Sequence, residues 1–258
     1  MENLQRMVVK VGSSLLITET GAVRYEILYP IVSHIVEARS FGYQTAVVTS
    51  GATLLGLGKE PRLQSIADEI LRGQMAAFVG QPAVVRAWQE SFGLFGITAG
   101  QLLRTHLDFA NGSVTEFLEK TLALGFVPII NEDDTRSAEE MTAYIEEKGD
   151  NDKLACHVAR AINAERVFLL TDVDGVCEMG ASGEPSGAPI PIIERVDETI
   201  WKLVSQNALS RPTGMRSKLE AADKLQRAGI TVHIAHAGKW VIIPTLEGKC
   251  VGTTFPAH

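Results

Sequence analysis

Two lysines of this sequence stand beside the residue types that bind anions. Lys10 ends an apolar run and is followed by Gly12 and two serines, in the segment KVGSS. Lys218 falls in the first turn of a segment with helical periodicity, after Thr213 and Gly214. A helix dipole disfavours a cation at the N-terminal end unless an anion occupies the same place. Both segments therefore predict an anion site, with a tight turn and a solvated surface lysine as the plainer alternatives.

The segment from Asn131 to Asp152 carries the densest negative charge of the chain, with nine acidic side chains against two basic ones. For a chain that binds anions this sign is unexpected. Either the whole segment is a solvated acidic loop, or its two ends, NEDD and GDND, hold carboxylates with specific tasks. Because Asp and Asn are also favoured helix N-caps, GDND alone fits a cap and a turn. The residues by themselves leave both interpretations open.

Two more polar segments follow apolar runs. TSGA, at 49–52, contains a glycine that opens a helix, and TDVDG, at 171–175, follows the run RVFLL. In an open α/β sheet, ligands bind where the carboxyl ends of the strands lead into helices. Both segments are therefore candidates for lining a ligand site, although TDVDG alone fits an Asx-type turn equally well.

Short apolar runs that alternate with segments of helical periodicity predict the elements that position these residues. We predict strands at 7–12, 44–50, 95–101, 126–131, 166–172 and 230–235, and helices at 24–41, 63–79, 82–93, 114–124, 152–164, 197–206 and 215–228. Strands such as VFLLT are apolar along nearly their whole length, which is typical of strands covered on both faces. The predicted fold class is therefore α/β, a mostly parallel β-sheet sandwiched between helical layers.

Two local features modify this pattern. Pro30 lies inside the first predicted helix, so we expect that helix to start late or to kink there. The segment MGASGEPSGAPIP, at 179–191, is rich in Gly, Ser and Pro and predicts a mobile loop.

Composition excludes several classes of protein. The net charge is −7 without any Lys/Arg run, which argues against nucleic acid as a partner. No apolar run approaches the ~20 residues of a membrane-spanning helix, and the N-terminus lacks the layout of a signal peptide. The three cysteines are dispersed and odd in number, so neither a disulfide framework nor a zinc site is indicated. We expect no membrane association and a cytoplasmic location.

Common nucleotide-binding and nucleophile motifs are missing. The chain has no G-x-x-x-x-G-K-[ST], GLGKEP at 56–61 lacks the third glycine of a dinucleotide fingerprint, and TSGA is not a G-x-S-x-G elbow. Any phosphate site must therefore be built in another way.

The order of the motifs identifies a family. KVGSS, VVTSGA, VGQ at 79–81, INEDD, GDND, LLTDVDG and TGM-x-x-K follow one another with compatible spacing. The sequence resembles the amino acid kinase family from Val8 to about Phe255, and within it the glutamate 5-kinase branch. The resemblance implies a single domain over 1–258, with an amino-acid-binding lobe over about 1–165 and a nucleotide-binding lobe over about 166–258.

A reaction and its setting are also implied by the resemblance. The γ-phosphoryl group of ATP, accompanied by Mg²⁺, would pass to the side-chain carboxylate of L-glutamate, which is the first step of proline synthesis. The same resemblance implies a homo-oligomer, a dimer or tetramer, with proline as a feedback inhibitor. The PUA domain that many family members carry is not expected, because the chain ends at His258 shortly after GTTF.

Residue roles come from the same resemblance. It makes Lys10 and Lys218 the catalytic cations and Asp152 the residue that holds both. It assigns glutamate to Ser50, Gly51, Ala52, Asp134 and Asn151. It assigns ATP to Lys10, Gly12, Thr171, Asp172, Pro212, Thr213, Gly214, Met215, Arg216, Ser217 and Lys218. No metal ligand is assigned.

Two departures from the family pattern keep alternatives open. Thr213, with Pro212 before it, stands where family members usually have a second glycine, and the stretch from Asp134 to Gly149 is longer than expected.

Kinases of this fold also act on N-acetylglutamate, aspartate, carbamate or UMP. A carboxylate at Asp134 favours an acceptor with a free ammonium group. Another amino acid or a glutamate analogue stays open as the acceptor. A non-catalytic amino-acid sensor is the other alternative, and the presence of both lysines with Asp152 argues against it.

Overall fold

A computed structural model of the chain describes residues 5–105, 108–109, 112–136, 151–179, 185–205 and 214–258. Its strands are β1 (Gln5–Val11), β2 (Tyr43–Val48), β3 (Ala99–Leu103), β4 (Val127–Asn131), β5 (Arg166–Thr171), β6 (Cys177–Met179), β7 (Pro185–Pro189), β8 (Thr231–His236) and β9 (Thr253–Phe255). Seven of them form one sheet in the order β3-β4-β2-β1-β5-β8-β9, and β6 pairs with β7 in a separate antiparallel ladder. Within the large sheet only β9 is antiparallel to its neighbour.

Helices cover both faces of this sheet. In the described part of the chain they are α1 (Ser13–Leu16), α2 (Tyr25–Ala38), α3 (Ala52–Lys59), α4 (Glu69–Gly93), α5 (Ser113–Ala123), α6 (Asn151–Ala161), α7 (Glu198–Ser205), α8 (Met215–Gln226) and α9 (Ile242–Leu246). Successive strand residues point to opposite faces, so Val8 joins one buried cluster with α5, α6 and α8, while Val9 joins another with α2, α4 and α9. The predicted α/β sandwich with a mostly parallel sheet is confirmed.

The predicted strands all exist, but the helix predictions need corrections, and the short helices α1 and α9 were not predicted. The segments predicted as separate helices at 63–79 and 82–93 form the single helix α4, which runs through Pro82. It begins at Glu69 because the Asp68 carboxylate caps the backbone N–H groups of Ile70 and Leu71. Although Pro82 removes one helical hydrogen bond, a long buried face keeps the helix intact on both sides of it.

The predicted helix ranges did not include α3, although the glycine of TSGA was expected to open a helix. Its sequence, ATLLGLGK, contains two glycines, which are poor helix formers. The glycines are needed for packing instead. A side chain on Gly56 would overlap the carbonyl of Ala76 in α4, so α3 and α4 cross with their backbones in close contact. Tertiary packing therefore overrides the local propensity.

Pro30 and the Gly/Ser/Pro-rich segment were the other two local predictions. Helix α2 begins at Tyr25 and continues through Pro30, so the late start is wrong, whereas a kink at Pro30 stays a prediction. The segment 179–191, predicted as a loop, contains β7, which pairs with β6. That part of the prediction is wrong, because a ladder of backbone hydrogen bonds forms despite a composition typical of turns. None of the described helices has both the length and the apolar character needed to cross a membrane.

His233 on β8 is a buried ring held at both nitrogens. Arg166 Nη1 donates to Nε2 at 3.3 Å, and Nδ1 donates to Thr254 Oγ1 at 3.1 Å. The ring also stacks on Phe168, with 4.8 Å between centroids. Burial, with the neighbouring Arg166 charge, lowers the pKa of His233 from 6.5 to about 3. The folded protein therefore holds this imidazole neutral.

Acidification is expected to destabilise the protein through His233. Below about pH 6.5 this histidine is protonated in the unfolded chain, whereas in the folded chain it stays neutral down to about pH 3. The free energy of unfolding therefore falls as the pH falls through this window. One such histidine accounts for a loss of about 2 kcal/mol between pH 7 and pH 5. Urea unfolding at both pH values measures it. Burial also lowers the pKa of His34, to about 4, so His34 adds to the same pH dependence. His233→Gln should therefore reduce the dependence by about the 2 kcal/mol given above rather than abolish it. His258→Gln, at an exposed ring, is the control. Equal pH dependence in all three proteins would contradict the assignment.

Candidate active site

Four adjacent strands bring their carboxyl ends to one edge of the sheet. In the order β4-β2-β1-β5 these strands are parallel, so the residues that end or follow them lie side by side. They are Asn131, Ser50, Lys10 and Thr171. Helix α6 packs across β1, β2 and β5 and begins at the same edge with Asn151 and Asp152. The parallel topology therefore assembles residues from distant parts of the sequence into one site.

Lys10, Asp152 and Lys218 form the centre of this site. The Lys10 Nζ lies 2.6 Å from one carboxylate oxygen of Asp152, and the Lys218 Nζ lies 3.2 Å from the other. All three side chains are at most 8% exposed. Lys10 faces α6 because it shares a strand face with Val8, and Lys218 reaches Asp152 from the first turn of α8. The predicted association of these three residues is present.

In this cluster two lysines share one carboxylate. Burial alone raises the pKa of the Asp152 carboxyl, but Lys10, Lys218 and the hydroxyl of Ser217 outweigh it and hold the pKa below its usual value. Asp152 is therefore a carboxylate between two cationic side chains. Two cations fixed at one edge of the sheet suit this cluster to an anionic ligand.

Ser50, Gly51 and Ala52 lie in a rigid turn between β2 and α3. The Thr49 N–H donates to the Ile130 carbonyl at 2.8 Å, and Trp88 Nε1 donates to Thr49 Oγ1 at 3.0 Å. Gly51 has φ +102°, and a side chain on it would press to 2.7 Å from Ile17 Cγ1. Only glycine fits both conditions. The turn therefore presents the half-buried Ser50 at the site edge.

Helix α4 supports the same turn through Gly80. A side chain on Gly80 would overlap the carbonyl oxygen of Ala52 and crowd the backbone of Gly56. The absence of a side chain lets α4 touch the start of α3 directly. Through this contact Gly80, which belongs to the VGQ motif, fixes the position of the Ser50 turn.

A row of three buried amides joins the ends of β4 and α6 to α4. Asn151 Nδ2 donates to Asn131 Oδ1 at 3.3 Å, and Asn131 Nδ2 donates to Gln81 Oε1 at 2.6 Å. Asn151 was predicted in the site, whereas Asn131 and Gln81 were given no role. Both belong to motifs that carry the resemblance, INEDD and VGQ, which was the available signal.

The first end of the acidic segment is a short turn anchored by Arg136. The Arg136 Nη2 lies 3.1 Å from Asp108 Oδ1, and its carbonyl accepts from Gln74 of α4. Asp133 accepts from the Thr135 N–H and hydroxyl. Asp134 is half-buried in this turn, three residues beyond Asn131. Residues 137–150, which include the middle of the acidic segment and Gly149, lie outside the described residues.

The described residues among those predicted to bind ATP fall into two groups. Gly12 and the pair Thr171 and Asp172 lie at the carboxyl ends of β1 and β5, where Thr171 Oγ1 donates to Asp172 Oδ1 at 3.2 Å. Gly214, Met215, Arg216, Ser217 and Lys218 form the start of α8. Pro212 and Thr213 lie outside the described residues.

Individual side chains at the start of α8 face in different directions. Ser217 Oγ donates to Asp152 Oδ2 at 2.8 Å, so this hydroxyl supports the central carboxylate. Met215 packs against the core, and the exposed Arg216 pairs with Glu220 at 3.2 Å. Within the described ranges, no group of three or more His, Cys, Asp or Glu side chains is arranged to hold a metal ion.

Comparison with known proteins gives a consistent result. A profile described as "Amino acid kinase family" matches residues 5–236. The chain is 38% identical to a glutamate 5-kinase of Sphingopyxis alaskensis, over 89% of this chain and 62% of that protein. It is 36% identical to one of Shouchella clausii, over 96% and 66%, and 34% identical to one of Thermus thermophilus, over 98% and 68%.

The chain therefore spans about two thirds of the length of these relatives. Among solved structures, one described as an isopentenyl phosphate kinase superposes with a TM-score of 0.64 at 20% identity, covering 97% of this chain and all of the other. At that identity the similarity concerns the fold alone.

Proposed function

The chain belongs to the amino acid kinase family, and from that premise we propose that it transfers the γ-phosphoryl group of ATP to the side-chain carboxylate of L-glutamate. The product is L-glutamyl 5-phosphate, the first intermediate of proline synthesis. The observation that carries the proposal is the buried cluster of Lys10, Asp152 and Lys218, in which one carboxylate fixes two cations that suit a phosphoryl group in transfer. The similarity to proteins named glutamate 5-kinase supports the choice of acceptor.

Phosphoryl transfer to a carboxylate requires charge neutralisation rather than proton transfer. The acceptor carboxylate is already ionised near pH 7, so no general base is needed. The difficulty is to bring two anions together in line and to stabilise the charge that spreads over the transferring group. Lys10 and Lys218 neutralise that charge from opposite sides, and Asp152 holds their ammonium groups at a fixed separation. Ser217 steadies Asp152 by donating to it.

The acceptor site lies between the Ser50 turn and the two ends of the acidic segment. Ser50 and the backbone of Gly51 and Ala52 bind the carboxylates of glutamate, since this turn presents a hydroxyl and the N–H groups at the start of α3. Asp134 and Asn151 bind the α-ammonium group. A carboxylate at this place favours a free ammonium over an acylated nitrogen or a phosphate, which favours glutamate over N-acetylglutamate or UMP.

The nucleotide lies on the other side of the lysine pair. Gly12, Thr171 and Asp172 line it from the sheet, and Gly214 to Lys218 line it from the start of α8. Pro212 and Thr213, which lie outside the described residues, are assigned to the same nucleotide by the resemblance. Mg²⁺ accompanying ATP would supply further charge neutralisation. The amino-acid-binding lobe covers about 1–165 and the nucleotide-binding lobe about 166–258. We extend the proposal to a cytoplasmic homo-oligomer, a dimer or tetramer, that proline inhibits.

Trapping the acyl phosphate with hydroxylamine tests the function. Purified protein with ATP and Mg²⁺ should yield hydroxamate with L-glutamate and little with L-aspartate or N-acetyl-L-glutamate. A stronger signal with another acceptor would move the assignment to a different kinase of the same fold. No signal with any acceptor, together with stabilisation of the protein by glutamate, would replace the kinase by an amino-acid sensor.

Asp134→Asn is expected to raise KM for glutamate about tenfold, with kcat within a factor of about 3, because the substitution removes the charge from a charge-assisted hydrogen bond to the substrate ammonium. Steady-state kinetics at saturating ATP measure both parameters. Asp133→Asn is the matched control, since its oxygens are turned toward Thr135 and Arg136. An unchanged KM in Asp134→Asn would remove this residue from the substrate site.

A further inference from the structure

The row of buried amides Asn151, Asn131 and Gln81 has a direction. Each amide in it donates to the next, from Asn151 Nδ2 to Asn131 Oδ1 and from Asn131 Nδ2 to Gln81 Oε1. The three side chains are 8%, 1% and 6% exposed. An amide has one accepting oxygen and one donating nitrogen, so reversing any member would set two donors or two acceptors against each other. The three side chains therefore keep or change their orientation together.

The direction of the row determines what Asn151 presents to a ligand. The Asn151 nitrogen already donates to Asn131, so the Asn151 oxygen is the atom left to contact a ligand. No donor among the described residues reaches this buried Oδ1. A buried acceptor without a donor is unfavourable, because it has lost its hydrogen bonds to water. A ligand that donates a hydrogen bond to Oδ1 would remove that penalty, whereas a second acceptor would not.

Gln81 is the last amide at the other end of the row. Its oxygen accepts the shorter of the two bonds, at 2.6 Å, while its nitrogen is buried and finds no acceptor among the described residues. The orientation of the Gln81 amide is therefore coupled to that of Asn131 and, through Asn131, to that of Asn151. The backbone at this point is fixed, since the neighbouring Gly80 lies against Ala52 and Gly56.

We propose that Gln81 is a positioning residue that makes Asn151 present a hydrogen-bond acceptor to the α-ammonium group of the substrate. Gln81 acts through Asn131 and touches neither substrate. It contributes to the selection of an amino acid over a dicarboxylate that lacks the ammonium group. The inference rests on the proposed function, because the ligand at Asn151 is the glutamate of that proposal.

The test compares L-glutamate with glutarate, which has the same two carboxylates and no ammonium group. Gln81→Met keeps the length of the side chain and removes its acceptor. Gln81→Glu keeps an acceptor and cannot donate at neutral pH, so it supports only the direction described here. Gln89→Met is the control, because Gln89 is an exposed residue of the same helix whose amide donates to the Ala99 carbonyl at 3.1 Å.

Gln81→Met is expected to raise KM for glutamate about tenfold and to change KM for glutarate by less than about threefold, which corresponds to the loss of one charge-assisted hydrogen bond. The kcat with glutamate and KM for ATP should stay within about threefold of wild type, since the lysine cluster is untouched. Gln81→Glu should keep the wild-type preference for glutamate, and Gln89→Met should match wild type throughout.

Three results would overturn the proposal: an unchanged glutamate KM in Gln81→Met, an equal loss for glutamate and glutarate, or a folded Gln81→Glu that behaves like Gln81→Met. If Gln81→Met does not fold, Asn131→Leu takes its place with the same expected loss of preference. Wild-type turnover is measured first. If wild type phosphorylates neither acid, the proposed function fails, and the preference is then read from the increase in melting temperature that each acid produces.

Discussion

Replacing Lys10 or Lys218 by alanine is expected to lower kcat by about 10²- to 10³-fold, the usual cost of removing one preorganised charge from a transition state. Both ammonium groups lie within 3.2 Å of the same carboxylate, so they are fixed before the substrates arrive. Charge on the transferring phosphoryl group is greatest in the transition state, and a fixed cation therefore stabilises that state more than the ground state. We expect KM for glutamate to change by less than about threefold.

Steady-state kinetics with both substrates varied measure this effect. Lys224→Ala is the control, because it removes an exposed lysine from the same helix, α8. Its kinetic parameters should match those of wild type. A Lys10 or Lys218 variant that keeps kcat and loses only glutamate affinity would show that the cation binds the acceptor in its ground state, and the assignment of a charge clamp would be wrong.

The central cluster could be predicted from the sequence because each of its members lies in a local motif. Lys10 follows a strand with a continuous apolar pattern, and Lys218 follows a glycine at a helix start. Parallel strands with helical crossovers bring such positions to the same edge of a sheet, whatever their separation in sequence. The prediction that Asp152 holds both lysines came from the family resemblance, which the order of these motifs carries.

The supports of the site could not be predicted in the same way. Trp88 and Gln81 act through contacts between α4 and two strand ends, and Gly80 acts through a close approach between helices. Nothing in the local pattern of α4 indicates these contacts, since apolar and small residues at helical spacing equally describe an ordinary packed helix. Pro82 further led to the prediction of two helices where there is one.

Ser217 illustrates the same limit on a smaller scale. The resemblance assigns Ser217 to the ATP site, and the structure adds a hydrogen bond from its hydroxyl to Asp152 that the sequence did not indicate. Helix periodicity sets which face a residue occupies, but the partner on that face depends on how α8 lies against α6. The sequence therefore predicts which residues belong to the site, whereas the hydrogen-bond partners of these residues depend on how the helices pack.

Asp152→Asn is expected to have the second large effect, and this effect should appear in stability as well as in kcat. The carboxylate is 2% exposed and separates two ammonium groups, so its neutralisation leaves two buried cations facing one neutral amide. Breaking a buried ion pair in this way typically costs about 3–5 kcal/mol. The pKa of Asp152 is below its usual value, so this contribution is complete above about pH 4 and is lost as the pH falls further.

Chemical denaturation at pH 7.5 without ligands measures the loss, and Asp223→Asn is the control. Asp223 lies on α8 and pairs with the exposed Arg227 at 3.0 Å, an arrangement that contributes at most about 1 kcal/mol. An Asp152→Asn protein as stable as this control would mean that the three charges are not coupled.

ATP should stabilise Asp152→Asn more than wild type, because its phosphates supply the negative charge that the carboxylate no longer provides. The kcat should nevertheless fall by about 10²-fold, since ammonium groups without Asp152 between them lose the separation that phosphoryl transfer requires. These two results together distinguish Asp152 from a residue that only maintains the fold. A structural residue would lower stability without increasing the response to ATP, whereas a residue that positions two cations must change both.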